Sequence, residues 1–317
     1  MAIIESDIVY AKKLLSSGEV VAVPTETVYG LAADAYNSNA VLKLFAIKKR
    51  PSFDPIIVHT ASIDRIFEFV TRFSDNAMEL AQKFWPGPLT LLLDKKKIIP
   101  DIVTSGSSKV GVRIPRHDVA LSLLNQIPFP LAMPSANPFG YVSPTSPNHV
   151  QDQLGNQVPY ILDGGICSIG IESTIVGFRN DKPVIYRLGG ISVEEIERIF
   201  GTVRVQTTFQ NCKIISPGSM KSHYSPKKKL VVGDIDAMIK KYADKKIGVL
   251  VFDKYQEDKV YHQVMLAPDG SLETAAKNLF GSMRLLDSLP IDIILTSLVK
   301  NEGIGKAIND RLKKASV

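Results

Sequence analysis

Three consecutive cations, Lys48, Lys49 and Arg50, meet Pro51 and, after Ser52-Phe53-Asp54, a second proline, Pro55. Behind Pro55 comes Ile56-Ile57-Val58-His59, a short β-branched run that ends in an imidazole. Pro51 biases Arg50 away from helical backbone, so the spacing predicts cations where a helix stops and a loop begins, just before a buried strand. Cations held there suit a polyanion such as a nucleotide triphosphate. A solvated basic corner has the same composition.

Other polar groups follow apolar runs in the same way. Glu19–Val23 reads as a strand and runs into Pro24-Thr25-Glu26-Thr27-Val28-Tyr29-Gly30, hydroxyls beside one carboxylate. Such a loop is either an ordinary polar turn or the rim of a small-molecule site. Arg113 falls inside the apolar strand Val110–Ile114. A cation there is expensive unless paired, so it meets either a structural carboxylate or an anionic ligand. Leu131-Ala132-Met133 leads into Pro134-Ser135-Ala136-Asn137-Pro138-Phe139-Gly140 and then Ser143-Pro144-Thr145. Glu172-Ser173-Thr174 opens another strand, and Arg187 closes Val184-Ile185-Tyr186-Arg187.

The elements that must position these groups are legible from caps and periodicity. Ser6, Ser38, Ser62 and Ser74 are expected to start helices, and Ser192 with Glu195 forms a capping box for Val193–Phe200. Gln206–Asn211 is polar and irregular. Ser216–Pro226 is rich in Pro, Gly and Ser and ends in Lys227-Lys228-Lys229, which reads as a linker. Beyond it Ile247–Phe252 and Ile291–Leu295 read as strands, and Ser271–Leu286 and Gly305–Lys314 as helices, implying a small parallel sheet. The 317 residues therefore divide into 1–205, a connection 206–229, and 230–317. A charge of +6 favours anionic partners without proving nucleic-acid binding. Two distant cysteines give neither a zinc motif nor a disulfide framework. The amino terminus lacks a secretory pattern and no apolar run approaches ~18 residues, so a cytoplasmic protein without membrane contact is expected.

There is no GxxxxGK[ST], no GxGxxG after a strand, no GxSxG and no HExxH. What stands in order is PTETVYG, K-x-R-P with P-I-I-V-H, V-R-I-P, S-A-N-P-x-G with S-P-T, E-S-T-I-V and Y-R-x-G. This order resembles the threonylcarbamoyl-AMP synthases of the YrdC-like family, which act in N6-threonylcarbamoyladenosine modification of tRNA. SPGSMKSHYSP and the trailing βα region are similar to the longer, two-domain members. The resemblance implies an α/β fold: a YrdC-like open, twisted mixed sheet with flanking helices, plus a smaller Rossmann-like α/β domain. It implies Thr27, His59, Arg113 and Ser173 as L-threonine contacts. It implies Lys48, Arg50, Asp54, Ser135, Asn137, Ser143, Arg187 and Tyr224 as ATP contacts, with Lys48 and Arg50 catalytic. Ser216–Pro226 then becomes a lid. Two departures stand out: Asp54 replaces an amide, and Lys109 stands where the family tends to have a hydroxyl.

The implied reaction joins L-threonine and bicarbonate as a carbamate whose oxygen attacks the α-phosphate of ATP, releasing pyrophosphate. It needs no protein nucleophile, and Mg2+ is expected on the phosphates rather than in a protein cage. Proteins that complete the transfer to tRNA, and tRNA itself, are the further partners implied. Arg113 then becomes the capture point for the threonine carboxylate. An RNA-binding module of the same fold without chemistry is the alternative, and a carbamoyltransferase relative a lesser one. The hydroxyl-rich loops favour a small-molecule site over an extended basic stripe.

Overall fold

Alternation decides how the chain layers. Val21 and Val23 pack into one apolar core while Val20 and Ala22 pack into another, and Ala32 is likewise separated from Leu31 and Ala33. Successive strand side chains point to opposite faces, so a sheet with two apolar faces must be covered on both. The computed structural model describes residues 1–207, 224–254 and 260–316. It has two compact units. The larger takes in Met1–Phe139, Pro144–Cys167 and the described residues from Glu172 to Thr207. The smaller takes in Gly140–Ser143, Ser168–Ile171 and the described residues from Tyr224 onward.

The strands of the larger unit are β1 (Ile3–Glu5), β2 (Val21–Val23), β3 (Gly30–Asp34), β4 (Ile57–His59), β5 (Val70–Arg72) and β6 (Leu89–Lys95). They continue as β7 (Lys109–Arg113), β8 (Leu131–Ala132), β9 (Tyr160–Leu162), β10 (Thr174–Arg179), β11 (Lys182–Arg187) and β12 (Arg204–Val205). They pair in the order β1-β9-β2-β3-β8-β4-β7-β6-β10-β11-β12, with β5 beside β6. The sheet is mixed: β4 and β7 run parallel, while β6–β7 and β10–β11 run antiparallel. Helices Ile8–Ser16 and Asp118–Gln126 cover one face through Ala11, Leu15, Leu123 and Leu124. Helices Ser38–Lys48, Asp75–Phe84 and Val193–Phe200 cover the other through Leu44, Leu80 and Ile196. Each fully buried Leu or Ile in these layers contributes about 1.5–3 kcal/mol.

In the smaller unit β13 (Lys229–Val232), β14 (Ile247–Val251), β15 (His262–Met265) and β16 (Ile293–Thr296) pair in the order β13-β16-β14-β15, every pairing parallel. Ile235, Met238, Val249 and Leu295 form its core.

Several local expectations change. Asp7, not Ser6, caps the first helix, its carboxylate accepting from the Tyr10 N–H, whereas Ser38 starts the second as expected, with Asn37 before it as the cap. An acidic or amide oxygen reaches those N–H groups as readily as a hydroxyl does. Strands β3, β13 and β15 were not expected, because their alanines, lysine and polar residues dilute the β-branched signal. Residues 208–223, and with them most of the expected lid, lie outside the described residues. Beyond them Tyr224 is buried and Lys229 already belongs to β13. No described helix is long and apolar enough to cross a membrane.

Candidate active site

Strand β2 delivers the Pro24–Tyr29 turn, and Thr25 holds that turn together. Its hydroxyl donates to the Val28 carbonyl at 2.7 Å and accepts from the N–H groups of Thr27 and Val28. The turn sets Thr27 Oγ1 where Arg113 NH1 donates to it at 2.8 Å. Arg113 ends β7, and its register partner in the parallel strand β4 is His59. The guanidinium also donates to the Gly87 carbonyl at 3.3 Å and lies 2.7 Å from Glu26 Oε2. Of the two partners the sequence leaves open for Arg113, the protein itself supplies the carboxylate.

His59 is buried, and burial, reinforced by the Arg113 charge, pushes its imidazole pKa well below 6.5. The ring is therefore neutral at pH 7. Nδ1 lies 3.3 Å from the Ile57 carbonyl, which requires the proton on that nitrogen and leaves Nε2 an acceptor.

The helix Ser38–Lys48 ends when Lys49 takes a left-handed conformation (φ 52°), and Arg50 folds back under it. Arg50 Nε donates to the Asp54 carbonyl at 3.1 Å, NH2 to the Pro55 carbonyl at 2.8 Å, and NH2 sits 2.9 Å from Asp54 Oδ2. The solvated corner is thus overturned, because both cations are buried: Lys48 is 1% exposed and Arg50 8%. The guanidinium takes the consecutive carbonyls of Asp54 and Pro55 as acceptors. Lys48 Nζ donates at 2.5 Å to the carbonyls of Ser135 and of Asn137. Burial, then the Arg50 charge, hold its pKa well below 10.5. Burial raises the Asp54 carboxyl against the pull of Arg50, Lys48 and Arg187. The charge at position 54 is accounted for by its pairing with Arg50.

Ser135 pairs across to Gly30, and the Ala136 N–H donates to the Tyr29 carbonyl, so the PTETVYG and PSANP turns lie side by side. Asn137 Nδ2 donates to the Pro138 carbonyl at 2.7 Å. At the end of β11, Arg187 Nε donates to the Ser173 carbonyl and NH2 to Ser173 Oγ, both at 3.0 Å, while Ser173 Oγ meets Thr90 Oγ1 at 2.7 Å. The Arg187 charge acts on both Asp54 and His59, which ties the two halves of the cluster together.

Thr27, Lys48, Arg50, Asp54, His59, Arg113, Ser135, Asn137, Ser173 and Arg187 all belong to the larger unit. Ser143 and Tyr224 belong to the smaller. There the Ser143 carbonyl accepts from Arg284 Nε at 3.2 Å. The Tyr224 ring stacks on Phe280 at 5.5 Å and lies 4.9 Å from the Arg311 guanidinium. Lys109 pairs with Asp94 at 2.8 Å, directly across β6–β7, and supplies no hydroxyl. Sequence reasoning missed Glu26 and Thr90. The signal for Glu26 was the lone carboxylate among hydroxyls; for Thr90 it was a hydroxyl inside the apolar strand Leu89–Leu93. Four buried basic side chains, two of them paired with Glu26 and Asp54, stand with a neutral imidazole and the hydroxyls of Thr27, Thr90 and Ser173, a set that can hold anions out of water.

Comparison with known proteins identifies the family of the chain. The family model Sua5_yciO_yrdC, described as Telomere recombination, matches residues 13–189. Sua5_C, described as Threonylcarbamoyl-AMP synthase, C-terminal domain, matches residues 191–317. A threonylcarbamoyl-AMP synthase of Bacillus subtilis is 38% identical over 325 residues, covering 98% of this chain and 93% of its own. That of Pyrococcus abyssi is 37% identical over 320 residues, covering 96% and 93%. The crystal structure of P. abyssi Sua5 complexed with L-threonine superposes with a TM-score of 0.93 at 36% identity, covering 99% of this chain and 98% of that one. The chain belongs to the Sua5/YciO/YrdC family, in its longer form with the threonylcarbamoyl-AMP synthase C-terminal domain.

Proposed function

We propose that the chain is an L-threonylcarbamoyladenylate synthase, a nucleotidyltransferase that makes threonylcarbamoyl-AMP for tRNA modification. The observation that carries this reading is the cluster of buried cations, with Arg113 beside neutral His59 and Lys48 beside Arg50. An RNA-binding stripe would keep its cations at the surface, where an extended phosphate backbone can reach them.

The amine of L-threonine takes up the carbon of bicarbonate with loss of water, giving a carbamate. A carbamate oxygen attacks the α-phosphorus of ATP, and the bond to the β-phosphate oxygen breaks to release pyrophosphate. Arg113 captures the amino-acid carboxylate, and His59 Nε2 accepts from the threonine hydroxyl, with Thr27 and Ser173 bordering the same space. Lys48, Arg50 and Arg187 face the triphosphate. Phosphate bound near Lys48 opposes the effect of burial and favours its charged form. The backbones of Ser135 and Asn137 hold the Lys48 ammonium on station.

The two site carboxylates named above, Glu26 and Asp54, each face an arginine and offer no chelating set of their own. Mg2+ is therefore taken as part of the ATP substrate, carried on its phosphates. The partners that pass the product on, tRNA among them, and a cytoplasmic location complete the reading. Incubating the chain with ATP, L-threonine and bicarbonate and resolving the nucleotides by mass spectrometry tests it. A threonylcarbamoyl adenylate formed with pyrophosphate is expected; ATP recovered intact would overturn the reading.

A further inference from the structure

Glu26 has no role in the steps above, yet its side chain is only 1% exposed. Its Oε2 lies 2.7 Å from Arg113 NH2, but neither carboxylate oxygen meets hydrogen-bond geometry with any described donor, and Arg113 NH2 is in the same position. Charge and proximity alone hold the pair. A buried ion pair is worth its desolvation only when good hydrogen bonds complete it, and this one lacks them. The other groups that Arg113 touches are the Gly87 carbonyl and the Thr27 hydroxyl, both uncharged. His59, its strand neighbour, is neutral. Glu26 is thus the one anion among the described contacts of Arg113.

An α-amino acid carries both charges of that pair in one small molecule. Its carboxylate matches Arg113 and its ammonium matches Glu26, each able to give the well-directed, charge-assisted hydrogen bonds that the pair lacks. Exchange of one poorly aligned internal pair for two aligned external ones keeps every buried charge compensated. We propose that Glu26 is the specificity-determining residue for the substrate ammonium, and that the Glu26–Arg113 pair occupies the amino-acid site as an internal zwitterion until substrate parts it. This rests on the reading of Arg113 as the carboxylate contact.

Calorimetric titration of the full chain with L-threonine and with 2,3-dihydroxybutanoate, which has a hydroxyl in place of the ammonium, isolates the contact. The unaltered chain is expected to prefer L-threonine by about 10- to 100-fold, the worth of one charge-assisted hydrogen bond. In Glu26→Gln the preference is expected to shrink to within about threefold, since the remaining amide is a neutral partner. A thermal melt checks that the variant is folded. Glu26→Asp, which retracts the carboxylate by one methylene, should also lower the preference and serves if the glutamine variant does not fold. A preference unchanged in the folded variant overturns the inference and leaves the synthase reading standing. The same holds if the unaltered chain binds both compounds equally. An unaltered chain that binds no L-threonine overturns the amino-acid site itself, and the inference with it.

Discussion

A guanidinium that leaves water must find acceptors, and Arg50 finds them in its own loop, at Asp54 and Pro55. Its removal therefore strikes the fold as well as the chemistry. Arg50→Ala strands the buried Asp54 carboxylate and should cost about 3–5 kcal/mol in urea unfolding. The loss of a phosphate contact should separately lower kcat/KM by roughly 30- to 1000-fold. Arg50→Lys should recover part of the rate but less of the stability, because a single ammonium cannot reproduce the fork. His59 makes a pH-dependent prediction. Its pKa is depressed in the folded chain, so the unfolded chain takes up a proton near 6.5 that the folded chain refuses. Stability should fall by about 1.4 kcal/mol per pH unit as pH drops below that value, and His59→Asn should remove this part of the slope. Both would show in denaturant melts from pH 7 to 5. The types and order of these residues were legible in the sequence, as was the buried strand that ends in His59, but the burial of the cations before it was not. KKR carries no sign of the carbonyls that will surround it, because those come from residues 54, 55, 135 and 137 after folding.

Elements place these groups through close approaches that glycine alone permits. Gly189, just past β11, has the Glu172 carbonyl oxygen 2.4 Å and the Thr174 nitrogen 2.5 Å from where a Cβ would stand. Gly189→Ala must push that backbone aside, and Ser173 with it. A destabilisation of about 1–3 kcal/mol is expected. L-threonine binding should weaken as well, read by a thermal melt and calorimetry on the same sample. An alanine variant indistinguishable in both would show that Ser173 does not depend on this contact. The capping box at Ser192 and the caps at Ser62 and Ser74 form as the sequence implies, because a cap needs only its own next three residues. Strands β3 and β15 escaped for the opposite reason. Their place comes from the strands they pair with, β2 and β8 for one and β14 for the other, and not from their own residues.

At the scale of the whole molecule, contiguity misleads. The smaller unit includes Gly140–Ser143 and Ser168–Ile171, from the middle of the sequence. Arg284, on the helix Leu272–Ser288, donates to the carbonyls of Val142 and Ser143 and lies 5.1 Å from the Tyr141 ring. No pattern in the sequence announces that a polar turn after β8 will cap a buried arginine 141 positions away. A fragment that starts at Tyr224 lacks those carbonyls. It should be less stable than the same unit in the full chain by about 1.5–3 kcal/mol, the worth of a charged group's hydrogen bond. Arg284→Met should lower the melting temperature of the full chain more than that of the fragment, because only the full chain has the Val142 and Ser143 carbonyls to lose. The central claim is that the chain joins L-threonine, bicarbonate and ATP at one set of buried cations. Exchange of labelled pyrophosphate into ATP tests it most directly. The account predicts exchange only when L-threonine and bicarbonate are both present, and its collapse in Arg113→Lys. Exchange that proceeds without threonine, or none under any condition, would contradict it.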